Sequence, residues 1–199
     1  PRTLTKPKCL LKVNNKHLIN YQVDWLNQSG IDDIVVVVGY LSDVIINALG
    51  NKVRYRIYKD YLKTNNLYTL NSIKDELDDD IIILFSDVLL SYDLLKKCIN
   101  SKDDYNLIID KKNISSKTMR VKINNNSIYD IGSHIPIEKA SGNFIGIAKF
   151  SKLAANVIIS KLDKFTNNNK FINDYYTAVL IEIAKNNLKI KYTEVINQP

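Results

Sequence analysis

One acidic residue stands where a predicted buried strand ends. Asp87 closes the stretch "IIILFSD", whose aliphatic run predicts a strand buried on both faces. Open α/β sheets bind ligands at the carboxyl ends of their strands. A carboxylate there is a hard oxygen ligand of the kind that Mg²⁺ takes, so Asp87 is a candidate metal ligand. The alternative is a helix N-cap or a solvated turn aspartate.

Lys8 is a candidate for binding phosphate. It follows Pro7, whose ring fixes the backbone and pushes Lys6 toward an extended conformation. A lysine held in this way can direct its ammonium at a phosphate as a point charge. Taken by itself, an ordinary loop lysine is the simpler interpretation.

Two further stretches carry polar groups beside predicted elements. Asn65 and Asn66 precede a helix in "TNNLYTL", where an amide can read a base edge or cap the helix, and capping is the simpler interpretation. Lys139 and Gly142 lie in "IEKASGNFIGI", where a glycine just before a strand permits close approach of a ligand to the backbone. The alternative is a plain turn with a solvated lysine.

Asp174 and Tyr175 stand at the start of the predicted helix "DYYTAVLIEIAKNN". An acid beside aromatic rings can bind a substrate ammonium through charge and cation–π contact. The alternative is a helix first turn in which the aspartate matches the helix dipole. Both interpretations stay open.

These residues need a scaffold, and the sequence predicts an α/β sheet. Strand and helix alternate over the first half, from a helix that begins at Leu18 and ends at Gly30 to the strand "YNLIID". "MRVKINNNSIYDIG" then predicts a β-hairpin around an asparagine turn, which makes the sheet mixed. No internal repeat or linker is visible, so we predict one domain over residues 1–199.

Bulk composition excludes several classes. Hydrophobic residues make up 45% and charged residues 25% of the chain, as in globular proteins, and the strongest apolar run, "IVVVVGY", is far shorter than the roughly 18 residues of a membrane span. Cys9 and Cys98 form no disulfide framework, which predicts a reduced, cytoplasmic protein. His17 and His134 have no zinc-site spacing. The net charge of +7 comes from scattered lysines mixed with acids, so we expect no nucleic-acid surface.

The order of these motifs resembles that of the sugar-nucleotidyltransferase superfamily. Pro7, Lys8, Gly30, Gly39 and Tyr40 follow one another as in the opening of that family. "LFSDVLL" resembles its metal-binding aspartate motif, and "IEKASGNFIGIAKFS" resembles the Glu-Lys motif and following strand that contact substrate phosphate. "NNLYTL" resembles the branch that activates phosphocholine and related phospho- and phosphono-compounds with CTP. The resemblance covers nearly the whole chain.

The resemblance implies a Rossmann-like three-layer sandwich with a mixed, mainly parallel central sheet and a small β-hairpin insertion. It implies transfer of a nucleoside monophosphate, CMP from CTP on this branch, to a small phosphate- or phosphonate-bearing acceptor, with release of pyrophosphate. Lys8, Asp87 and Lys139 would be catalytic, with Mg²⁺ on Asp87. The nucleotide would contact Lys8, Gly39, Tyr40, Asn65 and Asn66, and the acceptor would contact Lys139, Gly142, Asn143, Asp174 and Tyr175.

The family's glycine-rich loop is expected just upstream of Pro1, and its acidic segment with a second metal-binding aspartate beyond Pro199. We therefore expect a chain trimmed at both ends. Two alternatives stay open: a sugar-1-phosphate nucleotidyltransferase using UTP, dTTP or GTP, and a non-catalytic nucleotide-binding domain of a larger protein. We expect no nucleic-acid or membrane partner, and a homodimer is possible.

Overall fold

A computed structural model describes residues 6–167 and 169–196. The α-helices in this part of the chain are α1 (Leu18–Gln28), α2 (Ser42–Leu49), α3 (Asn66–Asn71), α4 (Tyr92–Ile99), α5 (Lys152–Thr166) and α6 (Thr177–Lys185). The strands are β1 (Lys12–Val13), β2 (Lys16–His17), β3 (Val35–Val38), β4 (Arg54–Ile57), β5 (Ile81–Leu84), β6 (Tyr105–Asp110), β7 (Met119–Asn124), β8 (Ser127–Gly132), β9 (Gly142–Phe150) and β10 (Lys191–Glu194). None of these helices combines the length and apolar character that a bilayer span requires.

The central sheet has six strands. Its order is β10-β6-β9-β7-β8, and β5 also pairs with β9. Outside this sheet, β3 pairs with β4 in parallel, and β1 forms a small antiparallel hairpin with β2. The long strand β9 is the organising element, because it pairs with three other strands.

Strand β9 pairs with two strands on one edge, one on each side of Gly146. Its first residues pair with β7, with Met119 opposite Phe144, and its last residues pair with β5, with Leu84 opposite Ile147. Gly146 has a φ of 90°, which residues with a side chain rarely adopt. The residue after β5 meets β9 at this glycine, where Phe85 N donates to Gly146 O over 2.8 Å.

Two helical layers cover the two faces of the sheet. Successive residues of β6 contact one layer and then the other. Leu107 and Ile109 face a core cluster that includes α3, α5 and α6, whereas Ile108 faces a second cluster with α1, α2 and α4. Successive strand residues point to opposite faces, so the two clusters lie on the two sides of the sheet. The predicted three-layer α/β architecture is confirmed.

The mixed sheet and the hairpin insertion are also confirmed. Strands β7 and β8 pair antiparallel around Asn125 and Asn126, whose φ values of 47° and 56° are those of a primed turn. The expectation that parallel strands predominate is corrected. Among the described residues, the β6–β10 pair is the one parallel pair of the six-stranded sheet, because β9 runs opposite to β5, β6 and β7, and β7 and β8 form an antiparallel hairpin.

Strands β3 and β5 are less buried than their aliphatic sequences predict. Each pairs with a single strand among the described residues, β4 and β9 respectively. Val35–Val37 and all of Ile81–Leu84 are only half-buried, although the sequence runs are continuous and apolar. One edge of each strand is therefore open in the described part of the chain.

Candidate functional site

The turn after β5 presents Asp87 to solvent. β5 ends at Leu84, and the chain turns at Ser86 and Asp87, both of which are exposed. Val88 N donates to Phe85 O over 3.2 Å and closes the turn. The strand-end position predicted for Asp87 is confirmed, and the helix N-cap alternative is excluded because α4 is capped by Ser91 instead.

Lys8 lies beside this turn. It opens a short 3-10 helix, Lys8–Leu10, with Pro7 at its N-cap. Cys9 and Leu10 are buried and anchor the segment, so that the neighbouring Lys8 side chain reaches outward. Its Nζ lies 3.7 Å from Asp87 Oδ2, and both side chains remain substantially exposed. Burial raises the pKa of the Cys9 thiol, and the nearby Asp87 charge adds to that effect.

Gln22, on α1, also contacts this turn. The sequence did not predict this contact. Its Nε2 donates to Phe85 O over 2.9 Å and to Val88 O over 2.6 Å. Gln22 is buried on α1, beside the apolar residues Ile19 and Val23. A polar residue at a buried position of an amphipathic helix was the available sequence signal, because such groups need partners.

Asn65 and Asn66 fasten α3 to the segment that precedes α6. Asn65 Oδ1 accepts from Asn66 N over 2.8 Å, and its Nδ2 donates to Asn173 O over 3.1 Å. Asn66 Oδ1 accepts from Tyr176 N over 2.8 Å. The capping interpretation of Asn65 is confirmed. Asn66 has a second structural role, because it satisfies a backbone N–H at the start of α6.

The segment that Asn66 holds carries Asp174 and Tyr175. Asp174 lies three residues before α6 begins at Thr177, so it is not a first-turn aspartate of that helix. Its carbonyl accepts from Leu67 N over 3.4 Å, and its carboxylate is in no ion pair with another described residue. Tyr175 is 37% exposed, so part of its side chain is accessible to solvent.

An aromatic cluster joins this segment to the Asp87 turn. The ring of Phe85 lies 6.4 Å from that of Tyr175 and 6.1 Å from that of Tyr176, the latter edge to face. Phe144 packs on Phe85 and Tyr176 in the same way. Burial raises the pKa of the Tyr176 hydroxyl, whose oxygen has no hydrogen-bond partner among the described residues. Tyr175 and Asp87 are thus connected through Phe85.

Lys139 projects from a separate loop. It ends the short 3-10 helix Ile137–Lys139 and is exposed, with no ion pair to another described residue. Arg120 holds this loop from inside, because its buried guanidinium donates to the carbonyls of Ser133 and Ile135. Arg120 Nη1 also donates to Ser115 O over 2.9 Å and so joins two loops.

Gly142 and Asn143 are buried where β9 begins beside the end of β6. A Cβ on Gly142 would stand 2.9 Å from Asp110 O, so the close approach that the glycine permits is to β6 and not to an open cleft. Asn143 Oδ1 accepts from Thr118 Oγ1 over 2.6 Å, and its Nδ2 donates to Asn113 O over 2.5 Å. These groups support the 113–118 loop, and the predicted contact of Gly142 and Asn143 with the acceptor stays a prediction.

Gly39 and Tyr40 follow β3. A Cβ on Gly39 would stand 2.6 Å from the ring of Tyr61, so the glycine makes room for that ring. Tyr40 is exposed, and its ring lies 6.4 Å from that of Tyr61. The turn therefore offers aromatic surface, and its predicted contact with a nucleotide stays a prediction.

Asp87 is the predicted metal ligand among the described residues. No group of three or more His, Cys, Asp or Glu side chains in residues 6–167 and 169–196 is arranged to hold a metal. Mg²⁺ commonly binds through one or two carboxylates plus substrate phosphates and waters. An exposed Asp87 beside Lys8 fits that mode, and it does not fit a closed all-protein site.

No model of a known protein family matches the chain. It is 30% identical over 220 aligned residues to CTP:phosphoglutamine cytidylyltransferase of Campylobacter jejuni, with 98% of this chain and 87% of the relative covered. It is 28% identical over 194 residues to choline-phosphate cytidylyltransferase of Streptococcus pneumoniae, with 95% and 79% covered. A solved structure of CTP:phosphocholine cytidylyltransferase from Streptococcus pneumoniae shares its fold with a TM-score of 0.75 at 24% identity, over 99% of this chain and 84% of that one.

Proposed function

This chain belongs to the nucleotidyltransferase superfamily, on its cytidylyltransferase branch, and from that premise we propose that it transfers CMP from CTP to a small acceptor bearing a phosphate. The observation that carries the proposal is the meeting of Lys8 with Asp87 at the end of β5. The two residues come from distant parts of the sequence and converge, exposed, on one turn.

The reaction needs positioning and charge neutralisation more than proton transfer. An acceptor phosphate oxygen attacks the α-phosphorus of CTP, a new P–O bond forms, and the bond to the β-phosphate breaks so that pyrophosphate leaves. The attacking oxygen is already ionised near neutral pH, so no strong general base is required. Lys8, fixed by its buried neighbours Cys9 and Leu10, would hold the nucleotide phosphates through its ammonium.

Asp87 is the residue that would hold Mg²⁺. Its carboxylate is exposed and stands at the carboxyl end of a strand, where ligands of α/β sheets bind. When bound, Mg²⁺ supplies neutralisation of the negative charge on the phosphate oxygens. The ion pair with Lys8 is long and solvent-exposed, so phosphate can displace it at little cost.

The acceptor would bind between Lys139 and the Asp174–Tyr175 segment. Lys139 is exposed and has no ion pair to another described residue, so its ammonium is available for the acceptor's phosphate. Asp174 directly precedes Tyr175, whose side chain is partly exposed. An acid and an aromatic face together suit a cationic nitrogen. The acceptors named for the two cytidylyltransferase relatives, phosphocholine and phosphoglutamine, both carry a cationic nitrogen. An aminophosphonate likewise combines a cationic nitrogen with an anionic phosphorus group.

Three further features belong to the proposal. A strand and a glycine-rich phosphate loop outside the described residues would complete the site, which is supported by the open edges of β3 and β5. The protein would work as one domain in a reducing cytoplasm, which is supported by the free, buried thiols of Cys9 and Cys98. Gly39 and Tyr40 would contact the nucleotide.

The test is pyrophosphate release by the full-length protein with Mg²⁺. The four ribonucleoside triphosphates are crossed against phosphocholine, phosphoglutamine, 2-aminoethylphosphonate and hexose 1-phosphates. Release with CTP and a nitrogen-bearing acceptor is expected. Release only with hexose 1-phosphates would keep the chemistry and overturn the acceptor pocket, and no release with any pair, together with CTP binding, would favour a non-catalytic domain.

A further inference from the structure

One polar side chain interrupts the buried face of α1. Ile19, Val23 and Leu26 lie at the helical spacing of an apolar stripe and are almost fully buried. Gln22 falls within the same stripe and is only 6% exposed. A buried amide must find hydrogen-bond partners, so the position of those partners indicates what the residue does.

Both partners of Gln22 are carbonyls of the turn that carries Asp87. Nε2 donates to Phe85 O over 2.9 Å and to Val88 O over 2.6 Å. A primary amide has two protons, and these two bonds use both. The two carbonyls stand on either side of Asp87, so one side chain fixes the turn before and after the carboxylate.

Two backbone bonds also hold the turn: one attaches it to β9 and the other closes it. Phe85 N donates to Gly146 O and Val88 N donates to Phe85 O, over 2.8 and 3.2 Å. Gln22 supplies the contacts from the helical layer, through α1. Without those contacts Val88 O would lose the donor that Gln22 provides, and Phe85 O would keep the bond from Val88 N.

Helix α1 also supports Lys8. Leu18 N, at the first residue of α1, donates to Leu11 O over 3.0 Å, and Cys9 and Leu10 share a core cluster with Ile19. One helix therefore underlies both the lysine and the aspartate that converge above it.

We propose that Gln22 is a positioning residue that sets the place of the Asp87 carboxylate relative to Lys8. The proposal rests on the proposed function for the role of Asp87 in metal binding. Gln22 touches neither substrate nor metal; it acts through the backbone of residues 85–88. Its loss should loosen the turn without removing a ligand.

Gln22→Met tests this, because methionine has nearly the same shape and no amide. The matched control is Gln28→Met, on the exposed end of the same helix. With both bonds lost, we expect the apparent activation constant for Mg²⁺ at saturating CTP to rise about tenfold, as for the loss of one or two ordinary hydrogen bonds. At saturating Mg²⁺ the KM for the acceptor should be unchanged.

Amide hydrogen exchange gives a readout that does not depend on activity. In Gln22→Met the amides of residues 85–88 should exchange at least several-fold faster, while those of the distant strand β7 keep their wild-type rates. Gln28→Met should change neither. A purely structural role would instead lower the melting temperature and leave both the Mg²⁺ constant and the local exchange ratio at wild-type values, which would overturn the proposal.

A second variant and a measurement on the wild type test the proposal if Gln22→Met cannot be studied. If Gln22→Met does not fold, Gln22→Glu retains the size of the side chain, has no proton to donate when ionised, and should give the same local exchange. In the wild type, rapid exchange of the Gln22 side-chain protons would contradict the two bonds whatever the variants do. If the wild type releases no pyrophosphate, the proposed function fails on its own, and the exchange results alone decide whether Gln22 fixes the turn.

Discussion

The ammonium of Lys8 lies 3.7 Å from a carboxylate oxygen of Asp87. Neither group is buried, so the contact contributes little to stability and both side chains are free to bind ligands. Buried residues hold the backbone of each instead. Cys9 and Leu10 anchor the segment of Lys8, and Gln22 donates to the backbone of the turn that carries Asp87. Rigid backbone with solvated charged ends is what a site for a polyphosphate and its counterion requires.

Asp87→Asn separates the chemical role of the carboxylate from the fold. Asparagine keeps the size and removes the charge, so we expect CMP transfer with Mg²⁺ to fall at least about 100-fold. Because Asp87 is exposed, the melting temperature should stay within about 2 °C. The control is Asp32→Asn, another exposed aspartate, which should leave both quantities unchanged. Unchanged turnover in Asp87→Asn would remove the residue from the metal role.

Asn66 allows a test of a base contact against a structural link. Its Oδ1 accepts from Tyr176 N, so Asn66→Ala should release the 172–176 segment and lower the free energy of unfolding by about 1 kcal/mol. We expect the acceptor KM to rise and the CTP KM to stay constant. Asn66→Asp keeps an oxygen acceptor and should preserve both. Steady-state kinetics decide: a higher CTP KM in both variants would support the predicted contact of Asn66 with the nucleotide.

The sequence predicted what depends on local pattern. Asp87 was found because an aliphatic run ends beside it, and the asparagine hairpin because two residues with positive φ favour asparagine or glycine. Side-chain contacts between distant segments leave no such periodic signal. The bonds from Gln22 to Phe85 and from Asn66 to Tyr176 span 63 and 110 residues, and only the folded backbone brings them together.

The glycines show the same limit of prediction from local sequence. The sequence indicated that Gly142 permits a close approach, but not to what, and the neighbour is Asp110 of β6. The expected excess of parallel pairs failed for a related reason. Hydrophobic runs report that a strand is buried on both faces, whereas its direction relative to its neighbours depends on the connections of the whole chain.

Gly146 and Gly30 form a matched pair for the cost of a side chain at positive φ. Both have φ near 80–90°, but a Cβ on Gly146 would stand 2.4 Å from the ring of Phe85, whereas a Cβ on Gly30 meets nothing within 4 Å. Gly30→Ala should cost about 1 kcal/mol from backbone strain alone. Gly146→Ala should cost about 2–4 kcal/mol, because the Phe85 ring must also move.

Urea unfolding of both glycine variants measures these costs. Since Phe85 adjoins the Asp87 turn, Gly146→Ala should also reduce CMP transfer, and Gly30→Ala should not. Equal destabilisation by the two substitutions would mean that the Phe85 ring yields without cost.

Cys98 provides a pH-dependent test of the core. Burial raises the pKa of its thiol from the ordinary value of 9.0 to about 12, and the side chain has no exposed surface. The neutral thiol of the folded state is favoured, so its contribution to stability is complete below pH 9.0 and is lost as the pH rises toward 12. The unfolded chain ionises first, and each pH unit in this window removes about 1.4 kcal/mol.

The measurement compares the wild type with Cys98→Ala by urea unfolding at pH 7 and pH 10. Groups common to both proteins cancel in the difference, including Cys9. The stability advantage of the wild type should shrink by about 1.4 kcal/mol between the two pH values. A difference that does not depend on pH would show that the Cys98 thiol ionises equally in both states, and would contradict its burial between α4 and the sheet.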